Sequence, residues 1–220
     1  MCLYYFVQDM FAAGTETSAS TLEWAMSELL RHPHAMERLQ EEIESIVGKH
    51  RKVNESDVAN MKYLQCVVRE TLRLYPAAPL GLPHESAEAV TVGGYHLPSK
   101  TIVMLNVWAI GRDPNVWGED ALDFKPERFM HELGGHENSM ELAVQADFRM
   151  LPFSAGRRGC PGAPMAIPLI QFALAQMLHI YYWRVEGDPS ELDMTEASSA
   201  AMPRKIPLFS FPTLRLPSCL

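Results

Sequence analysis

Residues 151–162 read LPFSAGRRGCPG. One thiol, Cys160, stands among Gly156, Gly159 and Gly162, with Arg157 and Arg158 just before it and Pro161 just after. Free cysteine packs well in protein interiors, and that is the plain reading of a lone thiol. A finger-type zinc site is a poor alternative. His131 and His136 lie upstream, but no second thiol is near and no pairing has finger spacing. Spacing alone leaves a catalytic thiol with a histidine base open. The neighbourhood suits another task better. Glycines permit unusual backbone angles and close approach of a flat partner. Arg158 can reach an anionic group on that partner. A helix beginning just after Pro161 aims its N–H dipoles back at the sulfur and favours thiolate over thiol. A thiolate, a flat bulky ligand and a carboxylate-binding arginine together describe haem with a cysteine axial ligand.

Working outward, helices dominate the pattern, with a minor strand component. Residues 3–31 read as one long helix. A second follows Pro33, with Met36, Leu39, Ile43 and Ile46 as one stripe and Gly48 as its stop. NESDVANM (54–61) is a capped helical turn, and residues 62–75 form a helix closed by Pro76. AVTVGGYHL (89–97) predicts a hairpin about Gly93–Gly94, and TIVMLNV (101–107) an apolar strand. Loops fill the chain after Ala109, with ELGGHENSMELAVQ (132–145) a flexible surface segment. Helix returns over 163–182, and the tail carries short strands between prolines. No internal repeat or linker divides the 220 residues, which read as one partial domain.

Nearly half the residues are apolar and the formal net charge is −8, a balance that argues against nucleic acid as partner. Four scattered cysteines without a C-x-x-C argue against a disulfide framework. No apolar run reaches the roughly 18 residues of a membrane span, and the start lacks a basic leader.

Two further patterns bear on function. AAGTETSAS (12–20) puts Gly14 inside the first helix, at a cost of about 1 kcal/mol relative to Ala. Thr15, Thr17 and Ser18 have hydroxyls that can bond to carbonyls of the preceding turn. The plain reading is a small-residue packing face. The functional one is a locally opened helix beside a cofactor, where Thr17 and Glu16 hold water and pass protons. In VVRETLRLYP (67–76), Glu70 and Arg73 are three apart and face one another on a helix. Exposed, such a pair contributes a few tenths of a kcal/mol. Val67, Val68, Leu72 and Leu74 around it point to burial, and FKPERF (124–129) offers Arg128 as a second arginine. A buried glutamate shared by two arginines can lock a helix to a loop.

Phe153, Gly156, Arg158, Cys160 and Gly162 match F-x-x-G-x-R-x-C-x-G, the haem-binding signature of cytochrome P-450 monooxygenases. AGTET (13–17) resembles that family's oxygen-activating helix, Glu70-Thr71-Leu72-Arg73 its E-x-x-R helix, and PERF (126–129) its partner loop, all in the family's order. The resemblance spans essentially the whole chain, which matches only the C-terminal half of the family's fold, from the central helix onward. The expectation is therefore a truncated piece, without the anchor and the earlier helices.

By resemblance, Cys160 is the axial ligand of haem b, and Arg158 and His84 contact its propionates. His84 stands where relatives often carry arginine. Phe153 covers the sulfur side, and Gly156 and Gly162 shape the loop. Glu16 and Thr17 steer protons to dioxygen, and Glu70, Arg73 and Arg128 are structural. Ala12, Ala13, Ala78, Leu80, Leu82 and Ala200 meet a small hydrophobic substrate.

The resemblance further implies NADPH-cytochrome P-450 reductase as electron donor and, for a full-length relative, the cytosolic face of the endoplasmic reticulum membrane. The plant microsomal group is nearest, among hydroxylases of phenylpropanoid esters and medium-chain fatty acids. Two alternatives stand beside a monooxygenase: a non-catalytic remnant that holds haem poorly, and a peroxide-rearranging isomerase, which the presence of Thr17 and Glu16 disfavours. Pro164 suits an early helical position, whereas Pro168 predicts a kink or a delayed start, and MCLYYFV (1–7) is an unusual lead into the central helix.

Overall fold

A computed structural model describes residues 2–131, 147–199 and 201–216. The segment 132–145, read above as a surface loop, lies outside the described residues, and so does Ala200. Four helices carry the fold: α1 (Cys2–Arg31), α2 (Pro33–Val47), α4 (Lys62–Leu74) and α7 (Ala163–Ile180). The described residues also form the short α3 (Glu55–Val58), α5 (Val107–Ile110) and α6 (Pro114–Trp117), and three two-stranded antiparallel pairs. These pairs join β1 (His84–Glu85) to β4 (Ile102–Val103), β2 (Val90–Val92) to β3 (Tyr95–Leu97), and β5 (Tyr181–Arg184) to β6 (Phe211–Leu214).

Local chemistry explains most boundaries. Pro33 occupies the first turn of α2, where its missing N–H is no loss, and Gly48 leaves the helix at φ 76°. Asn54 and Asp57 close a capping box on α3. No residue near Met61 caps α4 from its own side chain; instead the Glu42 carboxylate on α2 accepts the Tyr63 and Leu64 N–H groups at 2.7 and 3.0 Å. An anion at a helix N-terminus is thereby supplied by a neighbouring helix. Gly93 and Gly94 both take positive φ, as a two-residue turn between twisted strands demands.

Three features depart from the sequence reading. The apolar stretch 101–107 forms strand only at Ile102–Val103, because its partner β1 is two residues long and Val107 already opens α5. The tail gives one regular strand, β6, plus a bridge between Glu196 and Arg204, and it pairs with β5, where the helical pattern ended two residues early. Pro168 sits inside α7 without ending it. It withdraws the i→i−4 donor from the Pro164 carbonyl, but only one turn in from the start, where the lost bond costs least.

α7 is also long and apolar enough, by length and composition, to cross a membrane, contrary to the reading that no run qualifies. Here it is the hub of the core: Ile170, Leu174, Ala175 and Leu178 are buried, and the helix packs on α1, α2, α3 and α4. The second half of α1 joins the same core through Trp24, Ala25 and Leu29. Its first half does not. Tyr4, Tyr5, Phe6, Met10 and Phe11 are all more than half exposed.

Candidate functional site

The cysteine loop is built from backbone bonds and left-handed turns. Ser154 N–H donates to Leu151 O at 3.0 Å and Ser154 takes φ 61°, a region non-glycine residues seldom enter. Gly156 follows at φ 73° and opens a 3-10 turn, Gly156–Arg158. Cys160 N–H then donates back to Phe153 O at 2.8 Å, which ties the ends of the loop together. The Cys160 side chain is exposed and unbridged. Gly162 caps α7, and a Cβ there would lie 3.7 Å from the Cys160 sulfur, so glycine keeps that flank clear. An open cleft of about 290 Å³ borders the thiol, walled by Leu72, Met150, Phe153, Ala163 and Ile167.

Two donor side chains nominated by the sequence remain available. Arg158 is exposed and His84, on β1, is half-buried; neither side chain makes a hydrogen bond or ion pair among the described residues. Among those residues no group of three or more His, Cys, Asp or Glu side chains is arranged to hold a metal ion. A metal bound at Cys160 would therefore draw its remaining ligands from elsewhere. A macrocycle that brings its own nitrogens fits this donor set: an accessible sulfur, glycines that leave room beside it, and an arginine and a histidine that can donate to its acidic substituents.

The helix nominated for oxygen handling is unbroken. α1 runs through Gly14 and the hydroxyls bond backwards: Thr17 to Ala13 O at 2.5 Å, Ser18 to Gly14 O at 2.9 Å and Thr21 to Thr17 O at 2.9 Å. These bonds supplement the helical ladder without opening it, so the locally opened helix is corrected to a continuous one. No atom lies within 4 Å of a Cβ built on Gly14, whereas Ser20, at the end of the stretch, is buried and donates to Met202 O at 3.2 Å. Glu16, Ala12 and Ala13 are exposed and Thr17 is half-buried. No described hydrogen bond or ion pair joins this half of α1 to the Cys160 loop.

Glu70, Arg73 and Arg128 do come together. Glu70 and Arg73 have fully buried side chains. Glu70 accepts from Arg73 Nε and Nη2, both at 2.7 Å, from Arg128 Nε at 2.9 Å and from the Lys125 N–H at 2.8 Å. The sequence pattern missed the rest of the network. Arg73 donates to the carbonyls of Gly111 and Ala121, each at 2.6 Å, and of Asp123 at 3.1 Å. Arg128 reaches Asp120 O at 2.9 Å. Gly111 is required by contact, since a Cβ there would fall 2.2 Å from Arg73 O. A glycine inside the apolar run 107–111 was the available signal.

A second cleft, about 450 Å³, lies beyond the C-terminal end of α4. Leu80 lines it together with Pro79, Trp108, Glu196, Ser199 and Met202. Leu82 is three-quarters exposed and Ala78 half-buried, and neither lines this cleft.

A mainly helical fold that presents one accessible thiol from a glycine-rich loop ahead of its core helix defines a candidate thiolate-ligand protein. The cytochrome P450 family matches residues 3–211. The chain is 65% identical over 212 residues to cytochrome P450 750A1 of Pinus taeda, which covers 96% of this chain. It is 44% identical to the 3,9-dihydroxypterocarpan 6A-monooxygenase of Glycine max, over 96% of this chain, and 44% identical to the flavonoid 3'-monooxygenase of Arabidopsis thaliana, over 94%. The chain spans about 40% of the length of each of these relatives. It belongs to the cytochrome P450 family, whose members carry haem on a cysteine thiolate.

Proposed function

We propose that residues 1–220 are the C-terminal part of a cytochrome P450 domain whose Cys160 thiolate holds haem b for a monooxygenase. The exposed Cys160 on its tied glycine-rich loop carries this reading. Arg158 and His84 bind the haem propionates through charge-assisted hydrogen bonds. Phe153, tied to Cys160 through its carbonyl, keeps water from the sulfur, and Gly156 and Gly162 leave room for the macrocycle. Bound haem supplies dioxygen binding and O–O cleavage favoured by thiolate donation.

Thr17 would hold a proton at its hydroxyl, which here donates to Ala13 O, and would be the residue that offers it to the oxygen chemistry the haem supplies. Glu16, exposed on the same helix, resupplies the proton from solvent. Glu70, Arg73 and Arg128 position the cysteine side of the core by locking α4 to the segment before the loop. Ala12, Ala13, Ala78, Leu80, Leu82 and Ala200 surround a small hydrophobic substrate. The relatives named for flavonoid and pterocarpan hydroxylation favour an aromatic plant product over a fatty acid. Electrons come from NADPH-cytochrome P-450 reductase, and the full-length protein works at the cytosolic face of the endoplasmic reticulum membrane.

The test is turnover of haem-loaded protein with reductase. The reading expects one oxygen atom from dioxygen in the product, at the expense of NADPH. A rearranged isomer of an added hydroperoxide, formed without NADPH or reductase, places the protein among the isomerases and overturns it. The exposed aromatic face of α1 favours a second reading, that the 220-residue chain by itself is a non-catalytic remnant that holds haem weakly. Under that reading haemin added at one equivalent is lost on gel filtration.

A further inference from the structure

The cleft between Leu80 and the tail has a cross-brace that the reading above does not use. One wall is the α5 region, with Pro79, Leu80, Asn106 and Trp108. The other is a hairpin-like turn over 195–205, closed by Lys205 N–H to Thr195 O at 2.8 Å, by Ala197 N–H to Pro203 O at 2.9 Å, and by the Glu196–Arg204 bridge. Glu196 lies in the second wall and binds the first. Its carboxylate oxygens each accept from Trp108 Nε1 at 3.0 Å, and Arg112 donates to it at 3.0 Å. Arg112 also lies over the Trp108 ring, 4.1 Å from its centroid. The Arg112 side chain is nine-tenths buried and that of Glu196 nearly three-quarters, so the pair is well shielded from screening water.

The far end of the turn is held separately. Met202 N–H donates to Ala77 O at 3.0 Å, and Met202 O accepts from Trp24 and Ser20 of α1. These bonds fix the turn to α1 and to the segment leading into Pro79 and Leu80. The Glu196 contacts with Trp108 and Arg112 add a side-chain link between groups that line or border both walls.

We propose that Glu196 is a positioning residue which, through Trp108 and Arg112, fixes the width of this cleft and so selects molecules by size. The inference rests on reading the cleft beside Leu80 as part of the substrate site. It adds to that reading a specificity determinant remote from Cys160.

The experiment uses the 220-residue chain as wild type, Glu196→Ala, Glu196→Gln and Arg112→Ala, with Glu70→Gln as a destabilised control. Amide exchange is followed over 195–205, and calorimetry gives the affinities of two probes, flavanone and phenol. A hydrogen bond to a charged group corresponds to roughly tenfold or more in an equilibrium constant. Glu196→Ala is therefore expected to speed exchange over 195–205 about tenfold and to shift the flavanone-to-phenol affinity ratio by a similar factor. Glu196→Gln keeps an acceptor for Trp108 and loses the charge facing Arg112, so it shifts the ratio less, as does Arg112→Ala. Glu70→Gln leaves the ratio unchanged, because general loosening weakens both probes alike.

An unchanged ratio in Glu196→Ala overturns the proposal even if exchange accelerates, since Glu196 would then be structural only. A changed ratio without faster exchange overturns it too, as does wild type that binds neither probe. If Glu196→Ala does not fold, the ratio in Glu196→Gln decides by the same criteria. Haemin titration of the same samples separates the two readings. Haem retained with an unmoved ratio removes the brace, and a shifted ratio without haem binding removes the haem reading.

Discussion

Glu70 shows how much a single buried side chain can organise. It carries one negative charge between two arginines and accepts from both, and from a backbone N–H of the segment that carries the second. Isolated buried ions are costly; a network with its lone pairs and donors filled is not. Removing the charge leaves Arg73 without its carboxylate and Arg128 with the more distant Asp120, at 3.4 Å. Glu70→Gln is expected to lower stability by about 3–5 kcal/mol in urea unfolding, although the side chain hardly changes shape. The spacing of Glu70 and Arg73 was legible, because residues three apart share a helix face. The carbonyls of Gly111, Ala121 and Asp123 were not, since acceptors contributed by backbone leave no mark on residue type.

A second residue-scale expectation concerns pH. The Glu28 carboxylate, with Oε2 3.2 Å from His32 Nδ1, raises the His32 pKa above 6.5. A histidine raised on folding adds stability that is fully present below about pH 6.5 and is lost as pH rises through its folded value. His179 works against it, because burial holds its pKa down and protonation in acid favours unfolding. The comparison that isolates His32 is wild type against His32→Gln. The urea midpoint advantage of wild type is expected below pH 6 and should shrink as the pH is raised toward 8. An advantage constant across that range contradicts the assignment.

At the scale of elements, α1 is the instructive case. Its existence and extent were legible from a long apolar pattern, and its two halves differ for a reason the pattern does not carry. Trp24, Ala25 and Leu29 are buried against α4 and α7, while the residues before Gly14 meet solvent. Gly14 sits in open space with ordinary helical angles, so a methyl group there meets nothing. Gly14→Ala should therefore stabilise the helix locally by about 1 kcal/mol, visible as slower amide exchange over residues 10–18.

Gly111 is the opposite case. A methyl group there collides with the Arg73 backbone, and Gly111→Ala is expected to cost about 3 kcal/mol or more, the upper range of overpacking. The same calorimetric scan ranks the two variants with opposite signs. Strands were harder to read than helices. The β2–β3 hairpin declared itself through Gly93–Gly94, but β1, β4 and β5 are two to four residues long and owe their pairing to distant partners. Long-range pairing of such short segments leaves no periodicity to detect.

For the whole molecule, the division between a dense core and a bare apolar helix end governs behaviour. Tyr4, Tyr5, Phe6 and Phe11 are each more than half exposed around the start of α1, an apolar end that favours association. Sedimentation of the 220-residue chain is expected to show association that strengthens with protein concentration. Phe6→Ser with Phe11→Ser should weaken it, whereas exchanges on the polar face of α2 should not. The cysteine loop was the most legible part of the site because its chemistry is local: glycines for left-handed turns, arginines for acids and a thiol ahead of a helix. The Glu196 brace was illegible because Glu196 is more than eighty residues from Trp108 and Arg112 and all three are ordinary in kind.

The central claim is that the Cys160 sulfur ligates haem iron. Its most direct test is the carbon monoxide difference spectrum of the reduced, haemin-loaded chain, wild type against Cys160→Ser. The account predicts a thiolate-type Soret band from wild type and none from the serine variant. The same thiolate-type band from both proteins would contradict it.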